Sequence, residues 1–545
     1  MNWIRYKVLF HLVFLCMVLT VCFFSACSNS VLDAETDELG DLIELSQEKS
    51  SSSLKYSSSK AQSSSSKKTT TSKSSSSSVN KKSSSSVNSS LSSNAKSSSS
   101  VKSSSSSNPK SSSSTESEKK SLAEESSSSN ENSSSSLIES SSEESSSSEM
   151  VTLDVLEFDD SEYPYADIPR IVIETENRQT IKDRETEIPA KLQIWGEKQP
   201  ESEILDLTIR GRGNSSWDVM PKKSYKIEFE KKQSLLGMPK DKDWALIANY
   251  ADKTLMRNYI AYRLSAALNA FYAPRCEFAE VYVNGKYLGV YLVTETIKRS
   301  EDRVNIPKND NSYIVEFDQK YKADEQIVFS DVITANGKGK PFRIHDPKNA
   351  SESVLENVKK HIEDFETFLL SIKNQENNDV ENWLDIDESV KHYWVQELLK
   401  NPDAGFYTSV YFTWIKGEKI KLGPVWDFDL AAGNAVSESN NTVDKFVLRS
   451  SYWNKYLFKD SFYSQNMIDF WNQKHEYFSS ILDSIDVYKS RLELPAQNNF
   501  KRWNILEKTS EPWHPKSFKT YEAAVDWLKD WIANRILWID SEIGK

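Results

Sequence analysis

The sequence is short of cysteine, of basic charge and of paired histidines, and each shortage removes a class of explanation. Four cysteines occur in 545 residues. Cys16 and Cys22 fall in an N-terminal apolar segment expected to be removed, which leaves Cys27 and Cys276. With Cys27 itself modified, as argued next, no intramolecular disulfide can form, and stability must come from a packed core. Cysteine-based zinc sites are excluded, and the six histidines show no paired ligand spacing. The net charge is −12. Residues 151–545 hold 53 Lys and Arg against 64 Asp and Glu, a balance of −11. A nucleic-acid binder needs a basic face to neutralise phosphates, so that class is set aside.

What is present at the N-terminus is a targeting signal. Arg5 and Lys7 precede an apolar run from Val8 to Phe24, followed by Ser25-Ala26-Cys27. A cysteine just after small residues resembles the lipobox of bacterial lipoproteins. That resemblance implies a signal peptide over 1–26, lipidation of Cys27, and a protein held to a membrane in the cell envelope, facing the periplasm or the outside. Residues 51–150 contain 54 serines in blocks separated by Lys, Asn or Glu, with a net charge of +3. Such a stretch cannot bury enough apolar surface to offset the entropy of ordering. Residues 27–160 are therefore expected to be a disordered serine-rich linker, and 161–545 a folded domain.

In the folded part, Ile168–Glu174, Ala190–Trp195 and Leu205–Arg210 alternate as strands do. Arg210-Gly211-Arg212-Gly213-Asn214-Ser215-Ser216-Trp217 follows, either a hairpin turn or a loop whose amides can approach an anion. In Pro221–Phe229 the apolar Tyr225, Ile227 and Phe229 share one face, and Ser224, Lys226 and Glu228 the other. Asp252 can cap a helix beginning near Thr254. Asn284-Gly285 between Phe278–Val283 and Tyr287–Val293 is a tight hairpin turn. Tyr313–Phe317 reads as another strand. From Ser353 the pattern turns helical, with Val354, Val358, Ile362, Phe365 and Leu369 on one face. Ser389–Lys400 is a further helix, Tyr407–Trp414 and Ile420–Val425 are strands, and 440–545 is helical and rich in tryptophan.

Two acidic points stand 24 residues apart, Asp403 after a helix and Asp427 with Asp429 after a strand. Carboxylates at element ends can hold a divalent cation or accept a proton. The order of glycine loop, strand lysine, helix, hairpin, helical part and two separated aspartates is the order a kinase needs. Ordinary salt bridges and caps account for the aspartates equally well, and the usual motif set is missing: no His-Arg-Asp, and Asp-Phe-Asp in place of Asp-Phe-Gly.

Several blocks resemble the CotH kinase family. They are the Arg210–Trp217 loop with Pro221–Lys226, Asp243-Trp244-Ala245-Leu246, Met256-Arg257-Asn258, Gly289–Glu295 and Gly423–Leu430. The resemblance implies an α+β fold, an atypical protein-kinase-like arrangement of an antiparallel β-rich N-lobe and a helical C-lobe. It also implies ATP- and Mg²⁺-dependent phosphorylation of a serine-rich protein partner, with residues 51–150 of the chain itself as a candidate. By the same resemblance Lys226 approaches the ATP phosphates, with Lys223 as fallback, and Arg212 of the glycine loop joins the nucleotide-binding set. Asp403 becomes the base toward the acceptor hydroxyl. Asp427 ligates Mg²⁺ with Asp429 assisting, and Glu295 falls at the hinge where adenine binds. Two departures stand out. The helix Thr254–Leu268 offers no glutamate to pair with Lys226, and Thr408 stands where a metal-binding asparagine is usual. Two other readings stay open. One is a non-catalytic surface or polysaccharide-binding lipoprotein that keeps a pseudokinase fold and uses exposed tryptophans; the other takes Asp427-Phe428-Asp429 as the metal motif of a glycosyltransferase.

Overall fold

The protein is described from a computed structural model, which covers residues 154–335, 337–373, 375–376, 378–509 and 514–545. The signal segment, Cys27 and the serine tract lie outside the described residues.

The first half is a barrel. Strands β1 (Arg170–Thr175), β2 (Ile188–Trp195), β3 (Leu205–Arg212), β4 (Ser224–Gln233), β5 (Asp241–Ile247), β6 (Cys276–Val283) and β7 (Lys286–Glu295) close in the order β1-β2-β3-β4-β5-β7-β6. Every pairing is antiparallel except the closure of β1 onto β6. The alternation read from the sequence sets the two faces. Ile209, Ile227, Phe229 and Trp244 fill the interior, while Arg210, paired with Lys226, and Arg212, paired with Ser224, share the outer face. Asn284 and Gly285 both take positive φ, as a primed hairpin turn requires. Two short pieces interrupt the barrel: α1 (Ser215–Val219) and the helix α2 (Arg257–Ala267). Asp252 does serve a helix start, since its carboxylate accepts from the Thr254 and Arg257 amides at 2.9 and 2.8 Å.

The chain before β1 straps the outside of the barrel. Leu156 is buried, Phe158 packs edge-on against Trp195, and Tyr163 stacks on Tyr287. Arg170, almost fully buried, pairs with Asp160 at 2.6 Å.

The second half is helical but is built on a sheet. β8 (Ser312–Phe317), β9 (Ile327–Ala335), β10 (Lys338–Asp346), β11 (Val410–Ile415) and β12 (Lys421–Leu422) form a sheet in the order β12-β11-β8-β10-β9. Among the described residues six more α-helices pack on it or follow it, beginning with α3 (Glu352–Ser371), α4 (Ile386–Leu398), the short α5 (Glu438–Asn441) and α6 (Asn454–Leu457), and the long α7 (Ser461–Arg502). The last is α8 (Tyr521–Glu542). The strands expected near 313–317, 407–414 and 420–425 appear as β8, β11 and β12, and β9 and β10 join them in the helical half. β9 and β10 were not visible because 327–346 mixes polar and apolar residues without strict alternation. All five residues assigned to the apolar face of α3 are buried.

Two buried carboxylates lock this half. Glu366 on α3 accepts from the Trp453 indole at 2.9 Å, from Tyr452 and from Ser330. Glu397 on α4 pairs with Arg535 on α8 at 2.7 Å, both fully buried, and accepts the Val447 and Leu448 amides. The Arg535 guanidinium also donates to the Val443 and Lys445 carbonyls. The stripe Leu528, Trp531, Ile532 and Arg535 is buried throughout.

Breaking a buried pair by removing one partner leaves an uncompensated charge. Arg535→Met should lower unfolding free energy by about 3–5 kcal/mol, and Arg535→Met combined with Glu397→Met should recover much of it. Denaturant titration measures both; a loss below about 1 kcal/mol in the single variant would show that the pair does not hold α8.

Candidate active site

The site begins at the end of β3. Gly211 is required by packing: a Cβ there would meet the Trp217 ring at 2.5 Å and the Asp183 carbonyl at 2.6 Å. Gly213 has φ +109, open to glycine and strained for other residues. The loop therefore turns sharply and lays Arg212 across the face of Trp426, its guanidinium carbon 4.9 Å from the ring centroid. That stacking joins the glycine loop to the residue before Asp427.

Asp427 itself has φ +63, left-handed backbone that a non-glycine residue keeps only when its surroundings enforce it. They do. The Asn401 side chain donates to the Asp427 carbonyl at 3.0 Å, and the Phe428 amide donates to Asn258 Oδ1 at 2.7 Å. Arg257, next to Asn258 on α2, donates to the carbonyls of Ala431 and Ala432 at 2.9 and 3.2 Å and pairs with buried Asp252. Asn434 holds the Asp429 carbonyl. Asn401 also accepts the Asp403 amide at 3.2 Å, so one side chain positions both acidic points.

Asp403, Asp427 and Asp429 are half-buried neighbours, and all three hold their protons more tightly than usual. Burial and the charge of Asp427 push the Asp403 carboxyl up to about 7. Burial raises Asp427 too, against the opposing pull of Arg212 and Lys320. Asp429 is raised well above the carboxylate range by burial and by Asp427, Asp403 and Asp252. Like charges packed together and part-desolvated are a usual mark of a working site.

The resemblance-based residues fall into two groups. Arg212, Asp403, Asp427 and Asp429 come together. Lys226, on the same barrel face as Arg212, is held by Glu228 at 2.7 Å and by Asp243 of β5 at 2.8 Å. These carboxylates raise the proton affinity of Lys226 against its burial. Asp243, on a strand, thus pairs with the lysine for which α2 offers no glutamate. Lys223 turns aside, donating to the Trp217 carbonyl. Glu295 is fully buried, its carboxylate taken by Arg275 at 2.9 Å, by the Arg275 amide and by Tyr272, with Arg303 at 3.9 Å.

Sequence reading missed Lys320, Asp318 and Lys222. Lys320 follows β8 and donates to Ser215 of the glycine loop at 3.2 Å. Asp318 accepts from Thr408 at 2.8 Å, which shows where that residue's hydroxyl is used. Lys222 is a buried amine between the Val290 carbonyl and Asn499 of α7; burial holds it well below the usual lysine value. The only sequence signal for Lys320 and Asp318 was charge directly after a strand.

Among the described residues no three His, Cys, Asp or Glu side chains converge as a metal cage. Magnesium seldom needs one, since it is held by one or two carboxylates with substrate phosphates and water. The raised Asp427 and Asp429, oxygen donors short of cations, fit that ion in donor chemistry. None of the described tryptophans is fully exposed; Trp195, Trp383, Trp503, Trp527 and Trp538 are half-buried.

Residues 209–539, more than half of the chain, match the family model described as CotH kinase protein. The chain is also 38% identical over 93 residues to inner spore coat protein H of Bacillus subtilis (strain 168). That stretch is 17% of this chain and 24% of the relative, so the similarity spans about a quarter of the curated protein.

The acid cluster has a consequence for stability. Asp403 binds its proton at about 7 when folded and near 3.8 when unfolded. Between these values the folded state carries more protons, so the contribution to stability falls as pH rises from about 4 to about 7. Asp403→Asn removes that penalty. Without ligand at pH 8 its Tm should exceed that of the wild type by about 2 °C or more, with the gap closing toward pH 5. Thermal melts across that range decide it; a lower Tm for the variant at pH 8 would contradict the assigned electrostatics.

Proposed function

The chain belongs to the CotH kinase family, and we propose that it transfers the γ-phosphoryl group of ATP to serine hydroxyls of a serine-rich protein. Its own residues 51–150 are one acceptor, and lipidated Cys27 holds it to a membrane in the cell envelope. The observation that supports this best is the meeting of three part-desolvated aspartates with the glycine loop, through Arg212 on Trp426 and Lys320 on Ser215.

In this reading the roles follow from position. Asp403, whose carboxyl titrates near neutrality, takes the proton of the attacking hydroxyl. The serine oxygen bonds to phosphorus as the bond to the bridging oxygen breaks, and ADP leaves. Asp427, with Asp429, holds Mg²⁺, which when bound neutralises charge on the phosphates. Arg212 and the glycine loop face the phosphates. Lys226, oriented by Asp243, adds a cation on the same barrel face, and the hinge strand ending at Glu295 borders the adenine.

The tether makes the substrate local. A serine tract joined to the domain is presented at high effective concentration. Each phosphate adds about −1.5 to −2 charge at neutral pH, so a few convert a tract of net +3 into an anionic, self-repelling one.

Full-length protein incubated with labelled ATP and Mg²⁺ should label itself and a serine-rich peptide. Asp427→Ala should cut the rate at least ~10²-fold, as loss of a metal ligand costs several kcal/mol; equal transfer by that variant, or none by wild type, would end the reading. For the peptide, kcat/KM should rise with pH through about 7, because the base works only when deprotonated. A flat profile between pH 6 and 8 would remove Asp403 from that role. Mass spectrometry of active full-length protein should find phosphoserine within 51–150; an unmodified tract would confine the activity to other partners.

A further inference from the structure

We propose that Lys320 is a further catalytic residue, a cation that binds the transferring phosphoryl group between the glycine loop and the acid cluster. This rests on the kinase reading above.

Several neighbouring cations are already matched or buried. Lys226 is matched by Glu228 and Asp243, and Lys298 by Asp241 and Asp243. Arg343 is matched by Glu316 and Glu325. Lys222 is buried among neutral acceptors, and Lys223 is turned onto a carbonyl. Lys320 is different. It is half-buried, and among the described residues it makes no ion pair. Its ammonium meets only the Ser215 hydroxyl, at 3.2 Å, and the face of Tyr407, at 5.0 Å from the ring centroid.

The backbone around it is fixed rather than free. The Lys320 amide donates to Asp318 at 2.8 Å, and the Gln319 amide and side chain donate to the Tyr407 and Phe406 carbonyls at 3.0 and 2.9 Å. Tyr407 in turn donates its amide to the Asp403 carbonyl at 3.1 Å. Lys320 is therefore built into the segment that carries Asp403, while its tip touches the glycine loop. A cation so placed, with no carboxylate partner of its own, suits an anion arriving between those two parts. In phosphoryl transfer the charge spreads over three equatorial oxygens, and a preorganised cation aimed there lowers the barrier. The serine proton still goes to Asp403 and ADP still departs. Lys320 adds charge stabilisation.

The test uses full-length protein, MgATP and a serine-rich peptide, with Lys320→Met and Lys320→Arg. Lys320→Met should lower kcat/KM about 10²-fold, the usual cost of one transition-state donor. The loss should fall on kcat with the KM for the peptide nearly unchanged, a split that a merely structural lysine would not give, and Lys320→Arg should recover most of the rate. In wild-type protein, MgATP should protect Lys320 from amine acetylation, read by peptide mass spectrometry, an outcome independent of whether a variant folds. Active wild type with Lys320→Met within about threefold would overturn the proposal, as would equal acetylation with and without MgATP. Absence of any transfer by wild type would instead end the kinase reading itself.

Discussion

The buried pair of Asp252 and Arg257 is the constraint on which the site depends. Asp252 shapes the turn before α2 and starts that helix, and Arg257 carries the same charge across to the carbonyls of Ala431 and Ala432. Neither residue is free to relax, because a lone charge at that depth would be costly. The next residue, Asn258, then holds Phe428. In this way the helix between barrel strands fixes the backbone of Asp427 in a conformation it would not choose alone. Barrel and acid loop are one device, joined through hydrogen bonds of the Arg257 and Asn258 side chains rather than through a continuous sheet.

The acid cluster runs the other way. Asp403, Asp427 and Asp429 repel one another, and their surroundings supply too little positive charge to quiet them. A fold optimised for stability alone would have amides or apolar residues there. The frame around Glu397 and Arg535, with its dense aromatic packing, is the opposite case: charges fully matched and fully buried. The contrast separates what holds the protein together from what it is held together for.

Much of this was legible in the sequence, for identifiable reasons. The faces of β4, the Asn284-Gly285 turn and the buried stripe of α3 rest on periodicity, which short-range physics sets. The acids 403, 427 and 429 announced themselves by standing at element ends. Lys320 and Asp318 did not, because a loop has no period, and their importance arises from β8 lying beside β11 in the sheet. The partner of Lys226 was sought on a helix and lies instead on β5, where Asp243 stands opposite Glu228 in the unbroken β4–β5 register. Arg257, with no role readable from its spacing, became the clamp because of a carbonyl pair 174 and 175 residues away.

The placement of Asp243 has a further meaning. In ordinary kinases the lysine's partner sits on a helix that can swing, and moving that helix in or out switches the enzyme. Here the partner sits on an adjacent strand of a closed barrel, and the charge chain runs on through Lys298, Asp241 and Arg303 to Glu295. Strands in a closed barrel have no outward stroke. Lys226 is therefore seated by a neighbouring strand rather than by a helix. Under the proposed function, control at this point would come from supply: which nucleotide, and which serines, reach the site.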